Sequence, residues 1–210
     1  MKKILVLAIA FSTVLVSCKN EKKTEVKEKV IVVKSASGIN NVDVTTSVLN
    51  WKGSKPTGDH NGTVSLKSGG LLVENGKITA GEFIVDMNTI VNLDMKGKKG
   101  ATNIVNHLKS ADFFEVAAYP TAKFVITKVE ENAGKLAVTG NLNIKDVTKS
   151  ITIPATLSEV DGSYIFKSEN FNIDRADFNV KYKSKKFFDN LKDKFVNDLV
   201  EMSFEVKASK

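Results

Sequence analysis

Apolar and polar residues alternate along most of the chain, and this two-residue period is typical of strands that bury one face. The alternation is clearest near the carboxy terminus, where one face carries Val196, Val200, Met202, Phe204, Val206 and Ala208. The same pattern predicts further strands over residues 42–51, 63–67, 71–73, 77–87, 121–130, 136–145, 150–157 and 162–173. We therefore expect an all-β domain of about eight strands.

Turn sequences rich in glycine, asparagine and aspartate separate many of these strands. They are predicted at residues 68–70, 74–76, 132–134 and 161–162, with a further turn or bend at 145–149. Strands joined by such short turns pair antiparallel. Because each strand has a single apolar face, those faces must meet either between two packed sheets or around the lumen of a barrel.

Two segments depart from the strand pattern. In residues 101–110, apolar residues recur at helical spacing and predict a helix that ends near Ser110. In residues 187–191, two phenylalanines and a leucine share one side and predict a second, shorter helix. Both are compatible with helices that close a barrel opening and with connectors on its outer wall.

The amino terminus has the features of an export signal. Two lysines precede an apolar run over residues 4–16, whose 13 residues are too few to span a bilayer core of about 30 Å as a helix. We therefore predict a signal peptide over residues 1–17. The sequence Leu15-Val16-Ser17-Cys18 resembles the bacterial lipobox, so Cys18, the only cysteine, is the predicted lipidation site. The alternative is an ordinary cysteine of the apolar run, with cleavage elsewhere.

The segment after the cysteine differs in composition from the rest of the chain. Residues 18–38 are rich in charge and predict a lipidated, solvated tether, followed by one barrel domain over residues 39–210. Attraction of this tether to anionic head groups, or a sorting role, is the alternative interpretation. Its apolar residues 30–33 are also compatible with an additional edge strand. The expected location is the cell envelope, anchored at the outer membrane and facing the periplasm or the cell surface.

Five sequence blocks carry a resemblance to a known family. They are WKGSKPTGDHNGT at 51–63, FIVDM at 83–87, HLKSADFF at 107–114, YPTAKF at 119–124 and VTGNLNIKDVTK at 138–149. In this order and spacing they resemble the YceI-like family. The resemblance implies an eight-stranded, lipocalin-like antiparallel barrel in which some members hold a long polyisoprenoid chain. It implies no established catalytic activity, and residues 173–191 look like a lipoprotein branch of the family.

The sequence contains no recognisable catalytic, cofactor or metal motif. His60 and His107 have no His, Cys or carboxylate at the short helical spacing of zinc motifs. The sequence also lacks phosphate-binding glycine loops and nucleophile elbows. A catalytic pair of carboxylates that meet only in the folded structure remains an open alternative. We expect His107 to fix the end of the predicted helix, and His60 to hydrogen-bond in the turn before Thr63 or to contact a ligand.

The sequence favours binding of an apolar ligand over catalysis. Arg175, the only arginine, predicts a planar partner, which is Asp174, Asp177 or an anionic head group of the ligand. The predicted ligand-contacting residues are Trp51, His60, Phe83, Phe124, Ile126, Leu142, Phe166, Arg175, Met202 and Phe204. We expect an envelope lipoprotein that carries or senses an isoprenoid or another lipid. A structural lipoprotein with a filled barrel and an unrecognised hydrolase are the alternatives. Basic residues that are not grouped with stacking aromatics, together with the export signal, argue against nucleic-acid binding.

Overall fold

The structure is a computed structural model, and it describes residues 29–32, 34 and 36–210. The predicted signal peptide, Cys18 and most of the predicted tether lie outside the described residues. None of the helices in the described part has the length and apolarity that a transmembrane segment needs.

Ten strands, all paired antiparallel, make up the described domain. They are β1 (Lys29–Val32), β2 (Val48–Lys55), β3 (Gly58–Glu74), β4 (Lys77–Asn92), β5 (Thr121–Asn132), β6 (Lys135–Ile144), β7 (Val147–Val160), β8 (Ser163–Ser168), β9 (Phe171–Asp174) and β10 (Leu199–Ser209). A single α-helix of the described chain, α1 (Ala101–Lys109), lies between β4 and β5. Short 3₁₀ turns cover Arg175–Phe178 and Lys192–Lys194.

Eight of these strands close into a barrel in the order β5-β4-β3-β2-β10-β8-β7-β6, and β6 pairs back with β5. β8 and β9 occupy one position in the wall, because β10 pairs with β8 along one half of its length and with β9 along the other. The predicted eight-stranded antiparallel barrel is confirmed. The alternating pattern is compatible with a sandwich and with a barrel. Because β6 pairs with β5, the sheet closes on itself and forms a barrel.

Two amino-terminal segments complete the wall at one end of the barrel. β1 pairs with β5, with Lys29 opposite Glu131, and the Lys34 amide donates to the Thr79 carbonyl of β4 at 2.5 Å. This segment therefore lies where β4 and β5 separate, so the additional edge strand left open for residues 30–33 is present at Lys29–Val32. Asn41 joins β3 to β10, since its side-chain amide donates to the Leu71 and Ser209 carbonyls at 3.0 and 2.7 Å.

The predicted strand over residues 42–51 is shorter than expected. Val42 forms only an isolated bridge with Ala208, and β2 begins at Val48. Between them the Asp43 carboxylate accepts hydrogen bonds from the Thr45 and Thr46 hydroxyls and amides and holds a tight turn. The Thr45 hydroxyl contributes most to lowering the pKa of Asp43 to about 2. Because the Asp43 side chain binds the backbone amides of Thr45 and Thr46, these amides do not pair with a neighbouring strand, and β2 starts only at Val48.

The turn predicted at residues 68–70 is wrong. β3 runs unbroken through this sequence, with shifts of register between Thr63 and Ser65 and between Leu66 and Ser68. The glycines serve close approach rather than a turn, since a Cβ atom on Gly70 would lie 2.4 Å from the Ile39 carbonyl oxygen. Strand glycines of this kind mark bulges and places where another backbone passes closely.

The helix predicted at residues 101–110 is confirmed as α1, and the Ser110 amide and hydroxyl both donate to the His107 carbonyl at its end. The helix predicted at residues 187–191 is wrong. Phe187 and Phe188 lie in a turn in which both of their amides donate to the Ser184 carbonyl. The nearby helical residues are only the 3₁₀ turn at Lys192–Lys194.

The barrel is filled at one end. Around the β3–β4, β5–β6 and β7–β8 hairpins, the interior is packed by Val42, Leu71, Ile78, Ile126, Val129, Val138 and Ala208. We call this part the closed end. Gly140 makes room for the ring of Phe124 beside this packed interior, because a Cβ atom at residue 140 would lie 2.3 Å from Cζ of Phe124.

Candidate ligand-binding cavity

The opposite half of the barrel encloses a cavity of about 580 Å³. Its walls are the inward faces of the strands, as the two-residue period requires. On β10, for example, Val200, Met202, Phe204 and Val206 all line it, while Glu201 and Glu205 point outward and are exposed. The interior of the barrel therefore presents apolar side chains to an unfilled space.

Aromatic rings form the floor of the cavity. The ring centroid of Phe166 lies 4.8 Å from that of Phe204 and 6.0 Å from that of Phe83. Phe124 is the cross-strand partner of both Phe83 and Leu142, so it continues this layer around the barrel. Offset ring pairs at such distances are favourable, and they separate the cavity from the closed end.

The other end of the cavity is its mouth, which loops and α1 surround. α1 contributes Leu108 and His107, and the His107 ring centroid lies 4.5 Å from that of Tyr182 and 5.0 Å from that of Phe113. The end-fixing role expected of His107 falls to its carbonyl oxygen, while its ring packs in this aromatic cluster and lies 3.3 Å from Asp112. The mouth is thus bordered by side chains from segments far apart in sequence.

Arg175 lines the cavity and fastens the loop that follows it. The guanidinium donates to the carbonyls of Asn197, Val180 and Val196 at 3.0, 2.6 and 2.9 Å. Its ion-pair partner is Asp198, 3.1 Å from Nη2, and not either aspartate predicted from sequence. Burial lowers the pKa of Arg175, and the charges of Asp198 and Asp174 oppose that shift. These partners within the protein give Arg175 a structural role, since they engage its donors before any ligand does.

His60 is a polar residue of the cavity lining. It lies within β3 rather than in a turn, and its Nδ1 is 2.9 Å from Oδ2 of Asp94. Oδ1 of Asp94 accepts from the Asn61 amide at 2.9 Å and from the Asn92 side chain at 2.6 Å. Burial tends to raise the pKa of Asp94, but hydrogen bonds from Asn61, His60 and Asn92 outweigh it and lower that pKa to about 2. A carboxylate next to Nδ1 favours the tautomer in which Nε2 is an acceptor.

The cavity brings together nine of the ten predicted ligand-contacting residues: Trp51, His60, Phe83, Phe124, Leu142, Phe166, Arg175, Met202 and Phe204. Ile126 does not line it, because this residue lies one inward position deeper along β5 and packs in the closed end. Sequence reasoning missed the lining residues of the mouth, such as Ile104, Leu108 and Tyr182. They lie outside the alternating strands, so the two-residue period gives no signal for them.

Polar residues such as His60 and Arg175 lie among the apolar walls of the cavity. In the part of the chain that the structure describes, no hydroxyl or thiol hydrogen-bonds to His60, and no three His, Cys, Asp or Glu side chains come together as metal ligands do. The arrangement that is present is an apolar chamber with a polar mouth. Such chambers bind ligands by enclosing apolar surface, with a few polar groups to orient them.

A closed eight-stranded antiparallel barrel with an apolar cavity at one end defines the lipocalin-like class of proteins. Within that class, the chain belongs to the family of the YceI-like domain, whose family model matches residues 40–208.

Relatives of known sequence support the same assignment. Over 80 residues the chain is 39% identical to Protein YceI of Escherichia coli O157:H7, an alignment that covers 36% of this chain and 42% of the relative. A UPF0312 protein of Pseudomonas syringae pv. tomato is 43% identical over 72 residues, covering 32% of this chain and 38% of the relative. The alignments therefore span less than half of each relative's length.

Three solved structures share the fold. Burkholderia cenocepacia BcnA superimposes with a TM-score of 0.63 at 20% identity, covering 80% of this chain and 100% of that one. A polyisoprenoid binding domain from Saccharophagus degradans gives a TM-score of 0.58 at 16% identity, with 81% and 98% covered. The Campylobacter jejuni YCEI protein gives 0.52 at 21% identity, with 70% and 84% covered.

Proposed function

We propose that the protein binds a long apolar lipid, of the isoprenoid class, inside the barrel. The observation that carries this proposal is the cavity of about 580 Å³ walled by inward apolar residues. A structural protein with a filled barrel would have no such space. Pockets that bury a small ligand commonly measure about 300–1,000 Å³, so this cavity can enclose a substantial part of a lipid chain.

The energetics favour a chain over a compact ligand. Each buried methylene contributes about 0.8 kcal/mol before the cost of ordering the chain is subtracted. The aromatic floor limits how deep the chain can enter, and the mouth leaves its polar end near His60. With Nδ1 engaged by Asp94, Nε2 of His60 can accept a hydrogen bond from a hydroxylated head group. The similarity to a polyisoprenoid binding domain of Saccharophagus degradans supports the isoprenoid class.

The proposed role is carriage or sensing of this lipid at the cell envelope, without catalysis. We base the location on the signal peptide and lipobox of residues 1–18, with Cys18 as the lipid anchor at the outer membrane. A mass of the mature chain that starts at Cys18 and includes acyl groups is the check on anchoring. Unmodified chain in the aqueous phase of a detergent extraction would contradict it.

Cavity variants test the proposal directly. Met202→Lys places a charge on the cavity wall, whereas Val160→Lys places the same charge on the exposed β7–β8 hairpin at the closed end. We expect Met202→Lys to abolish saturable binding of a fluorescent isoprenoid, because the ammonium would be enclosed without a partner. Val160→Lys should bind as the parent protein does.

Thermal unfolding of both variants distinguishes lost binding from lost folding. A Met202→Lys protein that stays folded and binds the probe with unchanged affinity would contradict binding in the barrel. A parent protein that binds no isoprenoid of any length would contradict the proposed ligand class.

A further inference from the structure

The loop over residues 181–194, which we call the mouth loop, combines dense positive charge with exposed aromatic rings. It contains six lysines and two aspartates. Phe187 and Phe188 are 46% and 50% exposed, although phenylalanines are usually buried. Its members Tyr182, Lys183, Asp193 and Lys194 also line the cavity, so the loop stands at the point where a ligand must enter.

The two phenylalanines are presented by a built turn. Ser184 is fully buried, and its hydroxyl donates to Asp198 at 2.9 Å while accepting from the Lys186 amide at 3.1 Å. The Ser184 carbonyl accepts from the amides of Phe187 and Phe188. Arg175 holds both ends of the loop through the Val180 and Val196 carbonyls. The exposed rings therefore project from a buried and hydrogen-bonded base.

In the part of the chain that the structure describes, most lysines of the mouth loop form no ion pair with an acidic residue. Within the described residues, Lys186 alone among them forms ion pairs, with Asp174 and Asp177. The ammonium groups of Lys181 and Lys185 instead lie over the rings of Phe187 and Phe195, 4.9 and 3.5 Å from the centroids. These cations remain available to phosphate groups.

The closed end has the opposite character. Three of its lysines form ion pairs with glutamates, namely Lys34 with Glu74, Lys135 with Glu169 and Lys210 with Glu159. Excess positive charge in the barrel domain is thus concentrated beside the mouth. A charge distribution of this kind orients a protein on an oppositely charged surface.

We propose that the mouth loop docks on an anionic bilayer, with Phe187 and Phe188 inserted at the head-group boundary and the lysines at the phosphates. Aromatic side chains with surrounding lysines are the combination that holds peripheral proteins about 5–10 Å into this boundary. Docking in this orientation turns the cavity mouth toward the membrane and lets an apolar ligand pass between bilayer and barrel without crossing water. The docking surface goes beyond the proposed lipid binding and does not depend on the ligand class.

The tether limits which membrane the mouth can reach. Lys29 lies at the closed end, and eleven peptide links separate it from Cys18, a reach of at most about 40 Å. A barrel whose strand β7 has 14 residues is about 30 Å high. If the mouth docks on the same membrane that holds Cys18, the tether must be nearly fully extended. If it docks on a second membrane, the tether can take any length.

Tryptophan fluorescence of the full-length chain tests the docking. Phe188→Trp reports on the mouth loop, and Val160→Trp, at a position also 50% exposed but on the closed end, is the matched control. Each is mixed with excess vesicles of phosphatidylcholine, with or without phosphatidylglycerol, that include brominated lipid. The signal of the parent protein, from Trp51, is subtracted. Any lipid anchor contributes equally to the two variants, and excess vesicles detect docking on either membrane.

We expect the tryptophan at 188 to shift to the blue and to be quenched on anionic vesicles, while the tryptophan at 160 stays unchanged. Adding Lys181→Gln, Lys183→Gln and Lys185→Gln should weaken docking on the order of 100-fold and remove most of the quenching. Equal quenching at 160 and 188, or no quenching at 188, would overturn the proposal. A blue shift at 188 without vesicles would overturn it in favour of a second copy of the chain. Because no isoprenoid is present, failure of the proposed lipid binding would not alter these results.

Discussion

At the scale of single residues, Arg175 and His60 differ in what they can still offer a ligand. The guanidinium of Arg175 is engaged by three carbonyls and by Asp198. Nε2 of His60 has no hydrogen-bond partner among the described residues, although Nδ1 is held by Asp94. Sequence alone marks Arg175 as the more distinctive residue because it is the only arginine. The structure favours His60 as the polar contact.

Asp94 gives the mouth a defined response to acid. Its folded pKa of about 2 is below the ordinary value of 3.8, so its contribution to stability is present above about pH 4 and is lost as the pH falls toward 2. We expect Asp94→Asn to lower the free energy of unfolding at pH 7 by on the order of 1 kcal/mol, a figure reduced for partial exposure. Urea unfolding between pH 7 and pH 2 measures this.

The difference between wild type and Asp94→Asn should shrink between pH 4 and pH 2. Asp189→Asn is a suitable control, because Asp189 is exposed and has no ion pair within the described chain. An equal difference in unfolding free energy between Asp94→Asn and wild type at every pH would contradict this role of Asp94.

The alternating pattern predicts whether a residue of a strand points into the barrel, but it does not predict how deep in the barrel that residue lies. Phe124 and Ile126 have the same parity on β5, and both point inward. Phe124 borders the cavity and Ile126 packs in the closed end, because packing of the opposing strands fills only one half of the barrel. Which half is filled depends on contacts between strands far apart in sequence, so the two-residue period of a single strand does not predict it.

At the scale of secondary-structure elements, the barrel wall uses pieces of chain that its main strands do not supply. β1 lies beside β5 where β4 has separated from it, and Asn41 joins β3 to β10 before β2 begins. A charge-rich composition places residues 18–38 outside the domain in a sequence-based prediction. The apolar residues 30–33 within that segment left an additional edge strand open, and the structure contains it as β1, Lys29–Val32.

Two truncated chains test the contribution of β1. A chain that begins at Lys29 should be as stable as the mature protein, whereas one that begins at Ala36 leaves the edges of β4 and β5 unpaired. We expect the shorter chain to lose about 2 kcal/mol, or ~5 °C in Tm, from the missing backbone hydrogen bonds. Amide exchange should become faster over Lys128–Glu131, which pair with β1. Equal Tm and equal exchange in the two chains would show that β1 does not support the wall.

The turn predicted at residues 68–70 and the helix predicted at residues 187–191 are both wrong, and in each case a tertiary contact explains the difference. Ser68-Gly69-Gly70 has the composition of a turn, but its glycines admit the backbone near Ile39 inside a continuous strand. Phe187 and Phe188 have the spacing of a short helix, but the buried Ser184 holds them in a turn. In both places a tertiary contact overrides the local preference.

At the scale of the whole molecule, the two ends of the barrel differ in packing and in charge. The closed end is filled and three of its lysines pair with glutamates, while the other end holds the cavity, α1 and the basic mouth loop. The alternating pattern predicts antiparallel strands, and the resemblance to the YceI-like family implies their closure into a barrel. The volume of the cavity follows from how strands far apart in sequence meet, and no sequence pattern supplies it.

Mass spectrometry of organic extracts from purified full-length protein measures most directly whether the cavity holds an apolar lipid. The Met202→Lys protein, purified in the same way, provides the background of lipid that adheres outside the barrel. We expect an isoprenoid-class lipid in stoichiometric amount with the parent protein and none in the extract of the variant. A folded parent protein that yields no lipid above the background of the variant, and that takes up none when isoprenoid is supplied, would contradict it.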